Sequence, residues 1–387
     1  MHQIKLLNKI SAKGLNILPE VNYRYGEDVK NPDGILVRSA SMHEMELGEN
    51  LQAIARAGAG TNNIPIDKCN DLGIAVFNTP GANANAVKEI AIMGLFMSAR
   101  RIFASMEWVQ SLKGKGAEVP ALVEKGKSNF VGPEVKGKRL GVIGLGMIGV
   151  MVSNTAVELG MEVVGYDPFL SVDTALKISR DVTRVTSLRE IYSQCDFITL
   201  HLPSIAETRG MINAETLAAC KPGVRILNFS RGDLVNNADI IAALDEGQVY
   251  CYVTDFPEDA LLGHPGVLAI PHLGASTPES EENCAVMAAQ QIKDYIENGN
   301  VQNAINLPNM QVPRSGRGRI AVIHKNEASM ISQISGLVAS KANINNLSTD
   351  SRQALGYIIM DLDADVDSKL IDQINALDGV IRVRYFQ

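Results

Sequence analysis

The run Gly144-Leu145-Gly146-Met147-Ile148-Gly149 constrains this chain most, because of what flanks it. RLGVIG (139–144) before it reads as a buried strand, and GMIGVMVSNTAVELG (146–160) after it reads as a helix. A G-x-G-x-x-G alone is a weak signal. Set between a strand and a helix, with Asp167 closing the next strand MEVVGYD at close to the ~20-residue spacing, it reads as a dinucleotide fingerprint. Gly144 permits the tight turn, Gly146 lets the backbone approach a pyrophosphate, and Gly149 lets helix and strand pack closely. The helix start at Met147 and Ile148 offers unpaired N–H groups and a positive dipole end to the phosphates. Asp167 is expected to accept from ribose hydroxyls and to repel a 2′-phosphate, which favours NAD over NADP.

Around this motif, short Val/Ile-rich runs alternate with helical patterns. DFITLHLP (196–203), VRILNFS (224–230), VYCYVTD (249–255) and VLAIPHLG (267–274) read as strands; SLREIYSQC (187–195) and ADIIAALDEG (238–247) read as helices. That alternation predicts an α/β fold with a doubly wound parallel sheet. The unit begins near residue 139, after other α/β structure that includes the strands GILVRSA (34–40) and GIAVFN (73–78), and a helix over 279–298 follows it. The expected organisation is a Rossmann nucleotide domain (83–275) inserted in a smaller, discontinuous substrate domain (1–82 and 276–312), with the substrate in the cleft. NLPNMQVPRSGRGR (306–319) reads as a linker. Residues 317–387 then read βαββαβ, a small split-βαβ sandwich. AVKEIAIMGLFMSARRIFASMEW (86–108) reads as one helix, apolar around most of its girth and so buried in a core or subunit interface. Residues 111–137 read as an irregular surface excursion.

Composition removes several classes of function. The net charge of −7 gives no electrostatic reason to hold nucleic acid or an anionic membrane. No window reads as a membrane span, and the start MHQIKLLNKI does not read as a signal peptide. Five cysteines without C-x-x-C spacing read as reduced, buried thiols of a cytoplasmic protein, and no Cys/His cluster suggests a metal.

Three polar residues follow successive strands: Arg231 in NFSRGDLV, Glu258 in DFPEDALLG and His272 in PHLGAST. Ligands of a parallel sheet bind at the carboxyl ends of its strands, so all three are expected to face one crevice. The set suits hydride transfer between a 2-hydroxy acid and a nicotinamide. A guanidinium polarises a carbonyl and grips an α-carboxylate as a planar fork. A histidine exchanges the hydroxyl proton near neutral pH, and a carboxylate beside it favours the imidazolium.

RLGVIGLGMIG, HLP, NFSRGDLV and IPHLGAST together resemble the D-isomer-specific 2-hydroxyacid dehydrogenases, over essentially the whole chain. The run RAGAGTNNIPIDKCNDLGIAVFNTPGANANAVKE and the C-terminal βαββαβ, which resembles an ACT domain, narrow this to a biosynthetic branch of the family. The resemblance implies NAD-dependent oxidation of D-3-phosphoglycerate to 3-phosphohydroxypyruvate, the first committed step of L-serine biosynthesis. It implies that Arg231 orients the substrate, that His272 is catalytic and that Glu258, with Asp259 as the alternative, is its carboxylate. Gly144, Gly146, Met147, Ile148, Gly149, Asp167, Pro203, Ser230 and Asp255 would hold NAD, with Asp255 on the nicotinamide carboxamide. The turn Ala59-Gly60-Thr61-Asn62 would receive the substrate carboxylate, and Arg38 the phosphate.

Three positions depart from the family pattern. DFPED replaces DVFxxEP. Ala40 stands where members often carry a second arginine, which leaves phosphate binding to Arg38 with Lys88 or the helix start near Asn83 to Ala86 as candidate partners. Ala328-Ser329 replaces a Pro-Gly in the ACT segment, where His324, Asn326 and Asn343 match residues that hold serine in related enzymes. Serine as effector and a homodimer or homotetramer are the partners implied. The alternatives are a reductase for an unphosphorylated 2-oxo acid (hydroxypyruvate, glyoxylate or 2-oxoglutarate) and, from another class, an NAD-sensing corepressor or scaffold.

Overall fold

The computed structural model describes Met1–Gln387 and divides into two compact units, Met1–Asn83 with Thr277–Gln387, and Ala84–Ser276. The chain opens with β1 (His2–Leu7), β2 (Tyr23–Gly26), β3 (Gly34–Val37), β4 (Ala53–Arg56) and β5 (Ala75–Phe77). They form a parallel sheet in the order β2-β1-β3-β4-β5.

The second unit begins with α1 (Ala84–Ala99) and α2 (Ile102–Ser111). The apolar run expected as one helix is therefore broken, at Arg100-Arg101, where Arg101 leaves helical geometry with ψ 53°. Ala91, Leu95 and Ala99 of α1 are buried, but α2 buries nothing: Phe103 is 50% and Met106 61% exposed. Residues 111–137 contain structure that the Gly/Lys-rich composition hid, a helix over Val119–Gly126 started by Pro120 in its first turn.

Next come β6 (Arg139–Ile143), α3 (Met147–Glu158), β7 (Glu162–Tyr166), β8 (Val182–Arg184), β9 (Phe197–Leu200), β10 (Val224–Asn228), β11 (Val249–Thr254) and β12 (Val267–Ala269). The sheet order is β12-β11-β10-β9-β6-β7-β8 and every pairing is parallel. This is the doubly wound Rossmann order with one further edge strand. Two apolar clusters cover its faces, which is why its strands read as unbroken Val/Ile runs.

The chain returns to the first unit through α4 (Pro278–Asn298). Its start and stop signals are complete. The Thr277 hydroxyl accepts from the Ser280 N–H at 3.1 Å, Pro278 opens the first turn, Glu279 and Glu281 sit on the positive end, and Gly299 closes it with φ 72°. A second, antiparallel sheet completes this unit: β13 (Gly318–Lys325), β14 (Ile344–Arg352), β15 (Leu355–Leu362) and β16 (Val380–Phe386), in the order β14-β15-β13-β16. Helices α5 (Met330–Ala339) and α6 (Ser368–Asn375) pack on one face of it.

Its other face shares a core with the first sheet. Ala321, Ile323, Tyr357 and Phe386 join Tyr295, Phe77 and Ile4 in one apolar cluster. The stretch 306–319, expected as a linker, is part of that seam, with Leu307, Met310 and Val312 buried. Arg319 is fully buried and forms a bidentate pair with Asp361 (Nε to Oδ1 2.6 Å, Nη2 to Oδ2 2.9 Å). The same guanidinium donates to the Asn298 carbonyl at 3.0 Å and the Val312 carbonyl at 2.9 Å. Arg384 donates to the carbonyls of Tyr295 and Ile296, and the Tyr357 hydroxyl to that of Gly299. The last carbonyls of α4, which no helix can satisfy internally, are thus taken by the C-terminal sheet.

Candidate active site

The glycine motif sits where the sequence placed it, and each glycine meets a different constraint. Gly144 has φ 94°, and a Cβ on it would fall 2.3 Å from the His201 carbonyl oxygen. A Cβ on Gly149 would fall 1.9 Å from the Gly144 carbonyl oxygen, so that glycine is required by the packing of α3 onto the turn. A Cβ on Gly146 would meet nothing within 4 Å, which leaves open the space a phosphate group would fill. The N–H groups of Gly146, Met147 and Ile148 have no acceptor in the chain, as expected of a helix start that takes an anion. Asp167 is fixed by accepting from the N–H groups of Leu145 (2.9 Å) and Phe169 (2.8 Å), which places its carboxylate beside the motif.

Arg231, Asp255 and His272 follow β10, β11 and β12, three adjacent parallel strands, at their carboxyl ends. Asp255 is 1% exposed and both its oxygens lack a hydrogen-bond partner. Burial raises its pKa, against the opposing pull of His272, of the Gly274 and Asp255 N–H dipoles, and of Arg231. A buried carboxyl without a partner is costly and is retained where a ligand supplies the donor. The Phe256 ring packs against His272 at 4.8 Å between centroids. Arg231 donates to the Ser230 carbonyl at 2.6 Å, and Ser230 donates to Leu200 at 2.6 Å, anchoring that loop to β9. The Pro203 carbonyl is held by Thr208 at 2.6 Å.

Glu258 and Asp259 are exposed, and neither forms a hydrogen bond with His272. The Glu258 carboxylate lies toward Gly232, next to Arg231. Of the charged groups that act on Asp255, His272 pulls its pKa down most.

His201 opens the run HLP, in which the sequence assigned a role only to Pro203. Its Nε2 contacts the Thr199 hydroxyl at 3.0 Å, while its Nδ1 is buried without a partner. Burial pushes its pKa down to about 4, so the ring is neutral at pH 7.

In the first unit, the N–H groups of Ala59, Gly60, Thr61 and Asn62 are not engaged by acceptors of the chain, while the carbonyls of that turn are. The Ala59 carbonyl accepts from Asn78 at 2.6 Å, the Gly60 carbonyl from Arg56, and the Asn62 carbonyl contacts His43 Nε2 at 2.9 Å. Arg56 also donates to the Arg38 carbonyl at 2.9 Å and so ties this turn to Arg38. Arg56 opens the run RAGAGTNN but was given no role there; its position as the last residue of β4, just before Gly60, was the available signal. Arg38 itself is ion-paired with Glu281 of α4 at 2.5 Å. Lys88, a candidate from the sequence, lies 3.8 Å from Glu89.

In the C-terminal sheet, His324 is buried and its Nδ1 lies 2.7 Å from the Lys325 carbonyl, a contact that requires the proton on Nδ1. Its Nε2 is left as a buried acceptor without a donor. Asn326 donates to the Gln353 carbonyl at 3.1 Å. Asn343 is not brought to these two. It precedes Ile344, which shares a register line with Leu362 and Gly318, at the far end of β13 from His324. Ser329 holds the left-handed conformation (φ 67°) that a glycine adopts without cost.

Residues 92–274 match the family model described as D-isomer specific 2-hydroxyacid dehydrogenase, NAD binding domain. Residues 92–274 are an NAD-binding domain of the D-isomer specific 2-hydroxyacid dehydrogenase type. The chain is 33% identical over 329 residues to a D-3-phosphoglycerate dehydrogenase of Synechocystis sp., covering 80% of this chain and 57% of that one. It is 35% identical over 300 residues to the enzyme of that name from Methanocaldococcus jannaschii, covering 75% and 55%. The chain thus spans about half the length of the curated relatives it matches. Among solved structures, NAD+-bound 3-phosphoglycerate dehydrogenase of Entamoeba histolytica matches with a TM-score of 0.62 and 27% identity, covering 79% of this chain and 98% of that one. With this NAD-binding domain the chain has NAD as its cofactor, and the residues fit it: open space at Gly146, unengaged N–H groups at α3, and an unpartnered Asp255. No helix of the chain is long and apolar enough to cross a membrane.

Proposed function

We propose that the chain oxidises D-3-phosphoglycerate to 3-phosphohydroxypyruvate with NAD, the first committed step of L-serine biosynthesis. The observation that carries the reading is the trio Arg231, Asp255 and His272 at the ends of three adjacent strands, with Asp255 buried and unpartnered. When bound, NAD supplies the hydride acceptor. Asp255 accepts from the carboxamide N–H and so orients the ring. Arg231 grips the α-carboxylate and polarises the C2 oxygen. His272 takes the C2 hydroxyl proton, and Glu258, or Asp259, stabilises the imidazolium it becomes. The unengaged N–H groups of Ala59 to Asn62 would receive the substrate carboxylate, and Arg38 the phosphate.

The test is loss of NADH absorbance when the protein meets 3-phosphohydroxypyruvate, with hydroxypyruvate, glyoxylate and 2-oxoglutarate in parallel. The phosphorylated acid is expected to give the highest kcat/KM. Arg231→Ala is expected to lower turnover by about 10²–10³-fold. Turnover of the unphosphorylated acids alone would favour the second reading, a 2-oxo-acid reductase. Ala40 and the engagement of Arg38 by Glu281 speak for that reading.

The exposed apolar face of α2 suits pairing with a second copy. Phe103 lines a groove of about 720 Å³ together with Tyr250, Leu262 and Ile270, and Met106 is exposed on the same helix. The C-terminal sheet is read as an ACT domain that takes serine between two copies. His324 and Asn326 would come from one copy and Asn343 from the other, since one copy does not bring them together. Five free, buried cysteines accord with work in the cytoplasm.

A further inference from the structure

The pairing of Arg38 with Glu281 bears on which acid the enzyme takes. Position 38 ends the run after β3, and its guanidinium meets a single carboxylate, that of Glu281, at 2.5 Å. Both side chains are about two-fifths exposed (42% and 43%), so the pair faces solvent and is open to a ligand. Glu281 makes no other ion pair: Glu282 beside it is taken by Lys13 at 2.5 Å. Arg56 donates to the carbonyls of Arg38 and Gly60. Residue 40 is alanine and packs on the apolar cluster under β3 and β5.

The end of the substrate that meets Arg38 therefore meets the Glu281 carboxylate beside the guanidinium. For a phosphate dianion this is a conflict. Arg38 attracts it, while Glu281, within ion-pair distance of the same guanidinium, repels it and competes for the same N–H donors. For a terminal hydroxyl there is no conflict: it accepts from Arg38 and donates to Glu281. Exposed ion pairs are weak, so a phosphate can displace Glu281, but only against its charge.

We infer that Glu281 is a specificity-determining residue that tempers the preference of Arg38 for a phosphorylated over a hydroxyl-terminated acid. The inference rests on the assignment of Arg38 to the distal end of the substrate. Its physical content is that position 281 sets how much of the charge of Arg38 is available to a ligand. Glutamine keeps the size and the hydrogen bond to Arg38 and removes the charge.

The experiment compares kcat/KM for 3-phosphohydroxypyruvate and hydroxypyruvate in the full-length protein and in Glu281→Gln. The ratio of the two is expected to rise about tenfold in favour of the phosphorylated acid, through KM for that acid and not through kcat. Inorganic phosphate, as a competitive inhibitor, should bind the variant more tightly in parallel. A ratio that changes by less than about twofold, or falls, overturns the inference, as does a rise carried by kcat. Glu281→Ser is the second variant should the glutamine protein fail to fold, since serine is tolerated in a first helical turn. The two readings fail separately. If the parent protein turns over only hydroxypyruvate, the phosphoglycerate assignment fails, and a gain of phosphorylated-acid turnover in Glu281→Gln still supports the role of Glu281. If the parent prefers the phosphorylated acid and the variant does not change the ratio, only the role of Glu281 fails.

Discussion

The polar groups at the ends of β10, β11 and β12 and those around Arg38 are managed in opposite ways. Asp255 is buried with both oxygens unpartnered. Arg38 is exposed and paired with Glu281, and Arg56 is tied to two carbonyls. An unsatisfied buried group stores an interaction for a ligand, at a cost to folding. A satisfied exposed pair costs little to keep and must be exchanged when a ligand arrives. The first arrangement makes a site demand its ligand, and the second makes it selective. Arg319 and Asp361 mark a third limit, a pair both buried and satisfied, which serves structure alone.

The largest expected effect lies at that limit. Asp361→Asn leaves the buried Arg319 guanidinium without its counter-charge and should cost about 3–5 kcal/mol, read as a lower unfolding midpoint in urea. A loss below about 1 kcal/mol would mean that the four acceptors around Arg319 do not act as one network. Next is His201. Its folded pKa of about 4 lies below the unfolded value near 6.5, so the unfolded chain binds the extra proton between those values. Stability should be full above about pH 6.5 and fall by about 2–3 kcal/mol as the pH drops toward 4. Melting temperatures across that range, with and without His201→Gln, check it. The smallest effect sharpens the comparison most. Asp255→Asn should stabilise the free protein by about 1–2 kcal/mol while weakening NADH binding about tenfold, because it relieves a buried carboxyl that awaits a donor. Fluorescence titration of NADH together with thermal melts reads both. A variant that loses stability as well would show that Asp255 is satisfied within the free protein.

Much of the nucleotide unit was legible in the sequence because its signals are local. The glycine run, the strand before it and Asp167 lie within one βαβ segment, where spacing and periodicity carry the information. Arg231 and His272 were legible because a strand end in a parallel sheet is itself a location. Glu281 was not, since its partner lies 243 residues away in the chain. Asp361 and Arg319 are 42 apart, and no local pattern pairs them. Pro, Gly and Arg in 306–319 suggested a linker, yet Leu307 and Val312 are buried by a sheet whose docking no local pattern announces. The break at Arg100-Arg101 was hidden because apolar residues continue on both sides of it.

The attachment of β13–β16 to α4 has a consequence for how this chain could be rebuilt. A regulatory cassette joined by a tether can be exchanged by cutting the tether. Here Arg319, Arg384 and Tyr357 finish the hydrogen bonding of a helix that belongs to the other sheet, so the C-terminal piece is a keystone more than a pendant. A graft from a relative would have to bring those three side chains in register. An excision would strip the end of α4, whose opposite end carries the carboxylate that sits on Arg38.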